Sequence, residues 1–435
     1  MSSSGPNRSR LDALVIGGGP AGTTAALFLA RRGWQVGLVE KSTFPRRKVC
    51  GEFLSVTNLP LLAEAGVAED FMALAGPVVR RVAIFHGRTV ITAPLPCATG
   101  KAQGAGRALG RECLDALLLD RAVAAGTRVW QPWTATSLQR TDQGYCCELT
   151  CDHGRTVERV QARVVVAAHG SWHSGHLPTQ TSSNRASSRD LLAFKAHFHQ
   201  AHLDPDLMPL LAFPGGYGGL VRTDRERTSL SVCITRSQLE RCRAAHPRAS
   251  AAESVLFHLR NSCAPVAEVL ERAERDGEWL AAGAIRPGIR IRGAEGIFLV
   301  GNAAGEAHPV VAEGIGMAMQ SAWLLASSLP FDPGELANRL TLRAAHRAYA
   351  HLWRKNFAGR IRVSAAIAHW AMHPAAVYCL SPLLRCCPAL LTLGAQASGK
   401  ARLPSAGSGR GSAGRGLSWP QTSSTGNPSS RVDAA

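Results

Sequence analysis

Residues Leu14 to Glu40, LVIGGGPAGTTAALFLARRGWQVGLVE, constrain this chain more than any other segment. Leu14, Val15 and Ile16 form an apolar run suited to a buried parallel strand. Gly17, Gly19 and Gly22 follow in G-x-G-x-x-G spacing. Gly17 permits a tight turn, Gly19 lets a pyrophosphate approach the backbone, and Gly22 lets helix and strand pack closely. A helix opening at Pro20 and Ala21 and stopping at Gly33 would turn its first amides, partly positive, toward phosphate. A second strand over Gln35 to Val39 ends in Glu40, placed to accept hydrogen bonds from a ribose hydroxyl pair, with Lys41 beside it. Three glycines alone would say little. Strand, turn, helix, strand and terminal acid in one unit predict an adenine dinucleotide site.

A chain of 435 residues with 46% hydrophobic content has room for two or three domains. Its net charge is +18, yet only six of the 49 basic residues are lysine, leaving 43 arginines scattered along the chain. Four tyrosines offer few stacking platforms, so nucleic acid is not an expected partner. Attraction to an anionic membrane surface fits the charge better. Twelve cysteines without a C-x-x-C pair indicate neither a disulfide scaffold nor a zinc site, and no metal is expected. With no apolar signal core ahead of the first strand, the expected location is the reducing cytoplasm.

The pattern predicts an α/β fold: a Rossmann-type FAD/NAD(P)-binding domain, an inserted antiparallel β-sheet substrate domain, and a helical C-terminal cap. The dinucleotide domain is expected over 11–75, 99–187 and 286–330, and the substrate domain over 76–98 and 188–285. The helical region follows over 331–398. Residues 1–10 and the Gly/Ser-rich 399–435 are too polar to order themselves. Helices are expected at Leu59–Ala65, Arg111–Ala125, Gln238–Ala245 and Val255–Arg275. Residues 363–384 carry no charge but are interrupted by Pro374 and Pro382. That argues against a spanning helix and leaves two readings, buried capping helices or a surface making peripheral membrane contact.

A second glycine turn lies at Gly296 to Gln320, GIFLVGNAAGEAHPVVAEGIGMAMQ. An apolar strand runs into Gly301, Asn302 and Gly305, and Glu313, Gly314 and Ile315 open a helix whose free amides favour negative charge. A reduced flavin, anionic along its N1–C2=O2 edge, suits that place.

The two segments resemble the first and last FAD-binding motifs of the geranylgeranyl reductase family, within the wider p-hydroxybenzoate-hydroxylase-like flavoproteins. The late motif of that family is G-D-A-A-G, three residues, Pro, three residues, E-G-I; this chain keeps the register with Asn302 in place of Asp. Lys48-Val49-Cys50-Gly51-Glu52 resembles the family's K-x-C-G-E loop beside the flavin. The segment from Phe213 to Gly218 is similar to the family's F-P segment, which implies that Phe213 and Tyr217 line a substrate cavity. Arg111 stands where the family has a flavin-contacting arginine. One departure is His169-Gly170-Ser171, where hydroxylases of the superfamily carry an Asp-Gly pair that helps hold FAD and a passing nicotinamide. His169 is assigned to FAD phosphate or ribose.

The resemblance covers about residues 11–395 and implies FAD as the redox cofactor. Lys48, Gly51, Arg111, Asn302, Gly305, Glu313, Gly314 and Ile315 join the first motif around it. Only one complete dinucleotide fingerprint exists, so the reductant is NAD(P)H visiting transiently, or a protein or quinone. Cys50, flanked by Arg46, Arg47 and Lys48, is a candidate proton donor or acceptor. A small residue that only shapes the pocket is the plainer reading. His308, before Pro309, is a candidate acid or base, against a histidine that only hydrogen-bonds the turn.

Three functions compete. The first is a reductase or dehydrogenase acting on a lipophilic isoprenoid- or polyketide-like substrate. The second is a monooxygenase hydroxylating an aromatic or polyketide substrate. The third is a non-catalytic lipid-binding module on a flavoprotein scaffold. A halogenase is disfavoured by the lack of a W-x-W-x-I-P run. No oligomeric state is implied.

Overall fold

The computed structural model describes residues 10–95, 106–171, 175, 177–180 and 186–397. The expectations for 1–10 and 399–435 therefore fall outside the described residues, save for Arg10.

The first sheet is built on strand Leu11–Ile16, which pairs in parallel with Val36–Val39 on one side and Thr156–Ala167 on the other. Arg128–Trp130 extends it in parallel beyond Val36–Val39. The 12-residue strand Thr156–Ala167 changes partner along its length. Its first half pairs antiparallel with Gly144–Cys151, and its last residues, Val165 to Ala167, pair in parallel with Ile297–Leu299. Val164 to Ala167 are wholly buried, as an apolar strand covered on both faces must be.

Five parallel strands thus end on one edge: at Ile16, Val39, Trp130, Ala167 and Leu299. The loops that leave that edge begin at Gly17, Glu40, Gln131, Ala168 and Val300. Open α/β sheets bind ligands at the carboxyl ends of their strands, where helix N-termini and loop amides converge.

Helix Pro20–Arg31 packs on this sheet, and Gly314–Ser328 packs along that helix. Pro20 to Leu29 are all buried, as are Ile315 to Ala326, so neither helix offers a wet face. Trp323, with no exposed surface, anchors the second. Helix Leu59–Ala65 occupies the expected range, closed by Gly66 in the left-handed conformation.

The second sheet has the order Glu274–Ile285, Leu191–His199, Thr228–Thr235, Gly216–Arg222, Leu207–Phe213, Arg81–His86 and Thr89–Pro94. It is antiparallel except that Leu207–Phe213 runs parallel to Arg81–His86, two strands that reach the sheet from distant parts of the chain. Alternation separates its faces. Phe194, Ala196, Phe198, Phe213 and Val232 pack against the helices between 236 and 270. Ala193, Ala212, Tyr217 and Cys233 join the core of the first sheet.

The expected helix Val255–Arg275 is corrected. The chain instead forms Ala251–Ser262, a short helix Ala264–Val269, and then a strand from Glu274. Pro265 has no N–H to continue the ladder and ends the first helix at Cys263.

After Asn338, whose side chain accepts from Leu340 N–H, a 33-residue helix runs to Ala371. Two shorter helices, Pro374–Cys386 and Ala389–Ala395, follow it and meet at a 112° bend. Val377 and Leu384 are buried, but Tyr378, Leu380, Leu383, Leu390 and Leu393 are exposed. The reading of these helices as buried caps therefore holds only for their inner face.

Candidate active site

At Gly17 and Gly22 of the first glycine turn there is no room for anything larger than glycine. Gly17 has φ +109°, and a Cβ there would come 2.6 Å from the Ala168 carbonyl oxygen. At Gly22 a Cβ would lie 1.8 Å from the carbonyl oxygen of Gly17, so its absence lets the helix sit on the turn. Gly22 thus acts behind the cleft wall and not in it. Gly19 caps the helix start with no side-chain cap, so the first amides stay available.

Glu40 is buried at the end of the second strand. Its Oε2 accepts the Gly18 N–H at 2.8 Å and its Oε1 accepts the Ser42 N–H at 2.9 Å. Burial alone would raise its pKa, but the Arg46 guanidinium and these amides outweigh it and hold the carboxyl below its ordinary value. Arg46 also reaches Asp115 at 3.2 Å, and Arg111 grips the same carboxylate with two bonds of 2.7 Å. Arg111 thereby stands fixed at the cleft, 3.7 Å from where a Gly19 side chain would begin.

The second glycine turn reaches the first. Gly301 has φ +57°, and a Cβ there would lie 2.7 Å from the Cβ of Ala21. Gly301 N–H donates to Ser321 Oγ on the following helix, which fixes the turn to its own helix. Asn302, expected to face the cofactor, has its amide engaged with Glu306 Oε1 at 2.9 Å, and Ser171 Oγ donates to the other oxygen of Glu306. Ala312, at φ +51°, makes the sharp turn that presents Gly314 and Ile315. Left-handed backbone at a non-glycine costs about 1–3 kcal/mol and is kept where the surroundings demand it.

One continuous cleft joins these parts. Gly17, Gly19, Pro20, Ala21, Glu40, Lys41, Lys48, Cys50, Gly51, Arg111 and His169 line it from the first motif and its loops. Gly301, Asn302, Gly305, His308, Gly314 and Ile315 line it from the second. A side chain built at Gly51 or Gly314 would meet no atom within 4 Å, so both project only backbone into open space. An uncapped helix start at each end, a buried anionic carboxylate and glycines facing open room together fit a dinucleotide bound along the cleft.

Besides Gly22, three expected residues lie outside the wall. Phe213 is fully buried among the second sheet's own side chains, edge-on to His258 with ring centroids 5.9 Å apart. Strand alternation turns it away from the cleft. Tyr217, one face over, is also buried, but its hydroxyl meets His308 Nδ1 at 3.1 Å. Glu313 is buried behind Ala312 and Gly314, which carry the wall.

Several residues that line the cleft were not foreseen. Trp133, Thr134 and Ala135 follow the strand Arg128–Trp130, and Trp353 and Phe357 come from the long C-terminal helix. The first three were accessible to the rule that binding loops follow the carboxyl ends of parallel strands. The last two carry no local signal.

Burial shifts the site's titrating groups. Lys48 falls to about 8, chiefly by burial and secondarily by Arg46. His308 is pushed down to about 4 by burial, so its ring is neutral at ordinary pH. His169 is also lowered by burial; its ring nitrogens meet the Gly170 carbonyl and Thr179 Oγ1, both at 2.9 Å. Glu52, two residues after Cys50, is driven down to about 2: burial opposes ionisation, but Lys195 and His197 outweigh it.

Known proteins share this fold. The FAD binding domain family matches residues 10–347. The chain belongs to that family. It is an FAD-dependent oxidoreductase, and FAD is its cofactor. Digeranylgeranylglycerophospholipid reductase 1 of Methanothermobacter thermautotrophicus is 26% identical over 327 residues, covering 73% of this chain and 76% of that protein. Among solved structures, the myxobacterial chondrochloren halogenase superposes with TM-score 0.71 at 21% identity, over 90% of this chain and 91% of that one. A geranylgeranyl bacteriochlorophyll reductase-like protein from Thermoplasma acidophilum gives TM-score 0.65 at 20% identity, over 84% and 88%. The reductase relative and the family match bear on the chemistry, and the structural likenesses on the fold alone.

Proposed function

We propose that this flavoprotein reduces or dehydrogenates a lipophilic isoprenoid- or polyketide-like substrate in the cleft beside FAD. The observation that carries this reading is the character of the cleft beyond the glycine turns. Val49, Ala307, Pro309, Ala312, Met317 and Phe357 give it an apolar stretch, with His308 and Cys50 among the hydrogen-bonding side chains of the cleft. An apolar stretch suits a hydrocarbon chain and gives little purchase to a charged one. The name of the reductase relative, which covers most of both chains, supports the same substrate class.

When bound, FAD supplies the two-electron chemistry. The chain's own residues hold and orient. The helix start at Gly19–Ala21 and the guanidinium of Arg111 would hold the pyrophosphate, and Glu40, with Lys41 beside it, would hold the ribose. Lys48, Gly51 and His169 would flank the cofactor from the loops, and Gly301, Asn302, Gly305, Gly314 and Ile315 would hold it from the second glycine turn. The Tyr217 hydroxyl meets His308 Nδ1 at 3.1 Å, and burial keeps that imidazole neutral. His308 is the proton donor or acceptor at substrate carbon, and the Cys50 thiol stands in the same wall as the second candidate. NAD(P)H visits the cleft as a transient donor. The exposed leucines of the bent C-terminal helix pair, with Arg385 among them, give the protein a surface for peripheral contact with a membrane.

The test is anaerobic incubation of the FAD-loaded protein with NADPH or NADH and a geranylgeranyl phospholipid, followed by mass analysis before and after admitting air. Gain of two hydrogens without oxygen supports the reading. A product gaining oxygen only in air replaces it with a monooxygenase, and a protein that holds no flavin returns it to a lipid-binding module.

A further inference from the structure

Behind the cleft wall a carboxylate, an ammonium and an imidazole meet out of reach of solvent. Glu52 Oε1 accepts from Lys195 Nζ and from the Arg111 backbone N–H at 3.2 Å. Its Oε2 accepts from His197 Nε2 at 2.8 Å. The side chains of Glu52 and Lys195 are 0% exposed and that of His197 is 2% exposed. Such a buried cluster is a poor device for stability, since desolvation offsets the attraction.

Its surroundings show what it secures. Glu52 sits at φ +63°, a conformation usually left to glycine. The preceding residue, Gly51, is followed by this strained carboxylate and not by a second glycine. The second sheet grips the same loop at further points. Ser231 Oγ donates to the Cys50 carbonyl at 2.8 Å, and Lys195 Nζ lies 3.4 Å from the Lys48 carbonyl. Within the loop, the Glu52 N–H donates to Cys50 Sγ at 3.4 Å. Lys195, His197 and Ser231 share the sheet face that looks toward the cleft: Lys195 holds Lys48 and Glu52, His197 holds Glu52, and Ser231 holds Cys50.

We propose that Glu52, Lys195 and His197 are positioning residues that lock the Lys48–Phe53 loop to the second sheet, so that the Cys50 thiol keeps one orientation in the wall of the cofactor cleft. The strained backbone at Glu52 is the consequence: the loop is pulled into place by its carboxylate. The inference rests on FAD occupying this cleft and is independent of which reaction follows.

The test uses the full-length FAD-loaded protein carrying Glu52→Gly and Lys195→Met together, which removes both charges and the backbone conflict. Iodoacetamide labelling of Cys50 is followed by peptide mass mapping, with Cys146 in the first sheet as internal reference. FAD content and melting temperature are read in parallel. The expected result is a folded, FAD-bound protein in which Cys50 labels at least about tenfold faster relative to Cys146, because the loop now opens locally. An unchanged ratio in the folded variant, whatever happens to its melting temperature, overturns the proposal. Should the double variant not fold, His197→Leu, which leaves Lys195 paired with Glu52, is expected to raise the ratio by about threefold, and an unchanged ratio there overturns it equally. Wild-type protein that retains no FAD strikes instead at the cofactor assignment beneath it.

Discussion

Gly301 and Ala21, 280 positions apart in the chain, are in contact: a Cβ added to Gly301 would stand 2.7 Å from that of Ala21. The two glycine turns are therefore one structure. Gly301→Ala adds a methyl into that contact at φ +57°, where a side chain is already strained. The expected outcome is destabilisation by about 2–4 kcal/mol together with loosened FAD, read by thermal melting with and without added cofactor. Unchanged melting and full flavin content would show that the turns are not packed as described.

Tyr217→Phe removes the hydroxyl that satisfies His308 Nδ1 and leaves that nitrogen without its buried partner. A stability loss of about 1–2 kcal/mol is expected, with FAD retained. Turnover is expected to fall by about tenfold if the histidine delivers a proton. His308→Gln should lower turnover further without altering flavin content. Full activity in both variants would remove His308 from the mechanism.

Acid should weaken the fold in two stages. His308 and His346 are lowered to about 4, chiefly by burial, so between pH 6.5 and 4 the unfolded chain binds more protons and stability declines as pH falls. Glu52 is held down to about 2 against an ordinary value near 4.5, so its contribution is complete above 4.5 and is lost as pH drops toward 2. Denaturant unfolding at successive pH values checks both. His308→Gln should reduce the slope between pH 6.5 and 4 and leave the lower stage in place.

The C-terminal helix pair makes a separate prediction. Replacing exposed Leu383 and Leu393 with Ser should leave melting unchanged within about 0.5 kcal/mol, since neither is buried. It should also reduce flotation with anionic vesicles. Flotation equal to wild type, or absent in both, would remove the lipid surface from the account.

Much of this architecture was legible in the chain. Leu14–Glu40 carries its own spacing rules, and the late G-N-A-A-G segment carries the matching ones. Helices Leu59–Ala65 and Arg111–Ala124 could be read from apolar spacing closed by a glycine. Local patterns failed where the determining contact lies far away. Glu52 meets Lys195 across 143 positions, and Trp353 reaches Gly305 from the long C-terminal helix. A hint did exist in the strand Leu191–His199, where Lys195 and His197 occupy alternate positions among apolar residues. Two basic side chains on one buried face call for an acidic partner opposite. Phe213 misled because motif similarity locates a strand but not which of its faces meets the cleft, and one residue of register reverses the answer.

The central claim is that both glycine turns hold one FAD, and bound flavin in Gly19→Val and Gly314→Val measures it most directly. Neither site is crowded: a Gly19 side chain would find only Arg111 at 3.7 Å, and a Gly314 side chain would find nothing within 4 Å. Both variants should therefore fold while their new side chains occupy the room meant for the cofactor. The account predicts equimolar FAD in the wild type and at least about tenfold weaker binding in each variant, with native-like melting of the flavin-free proteins. Full flavin content in either folded variant would contradict it.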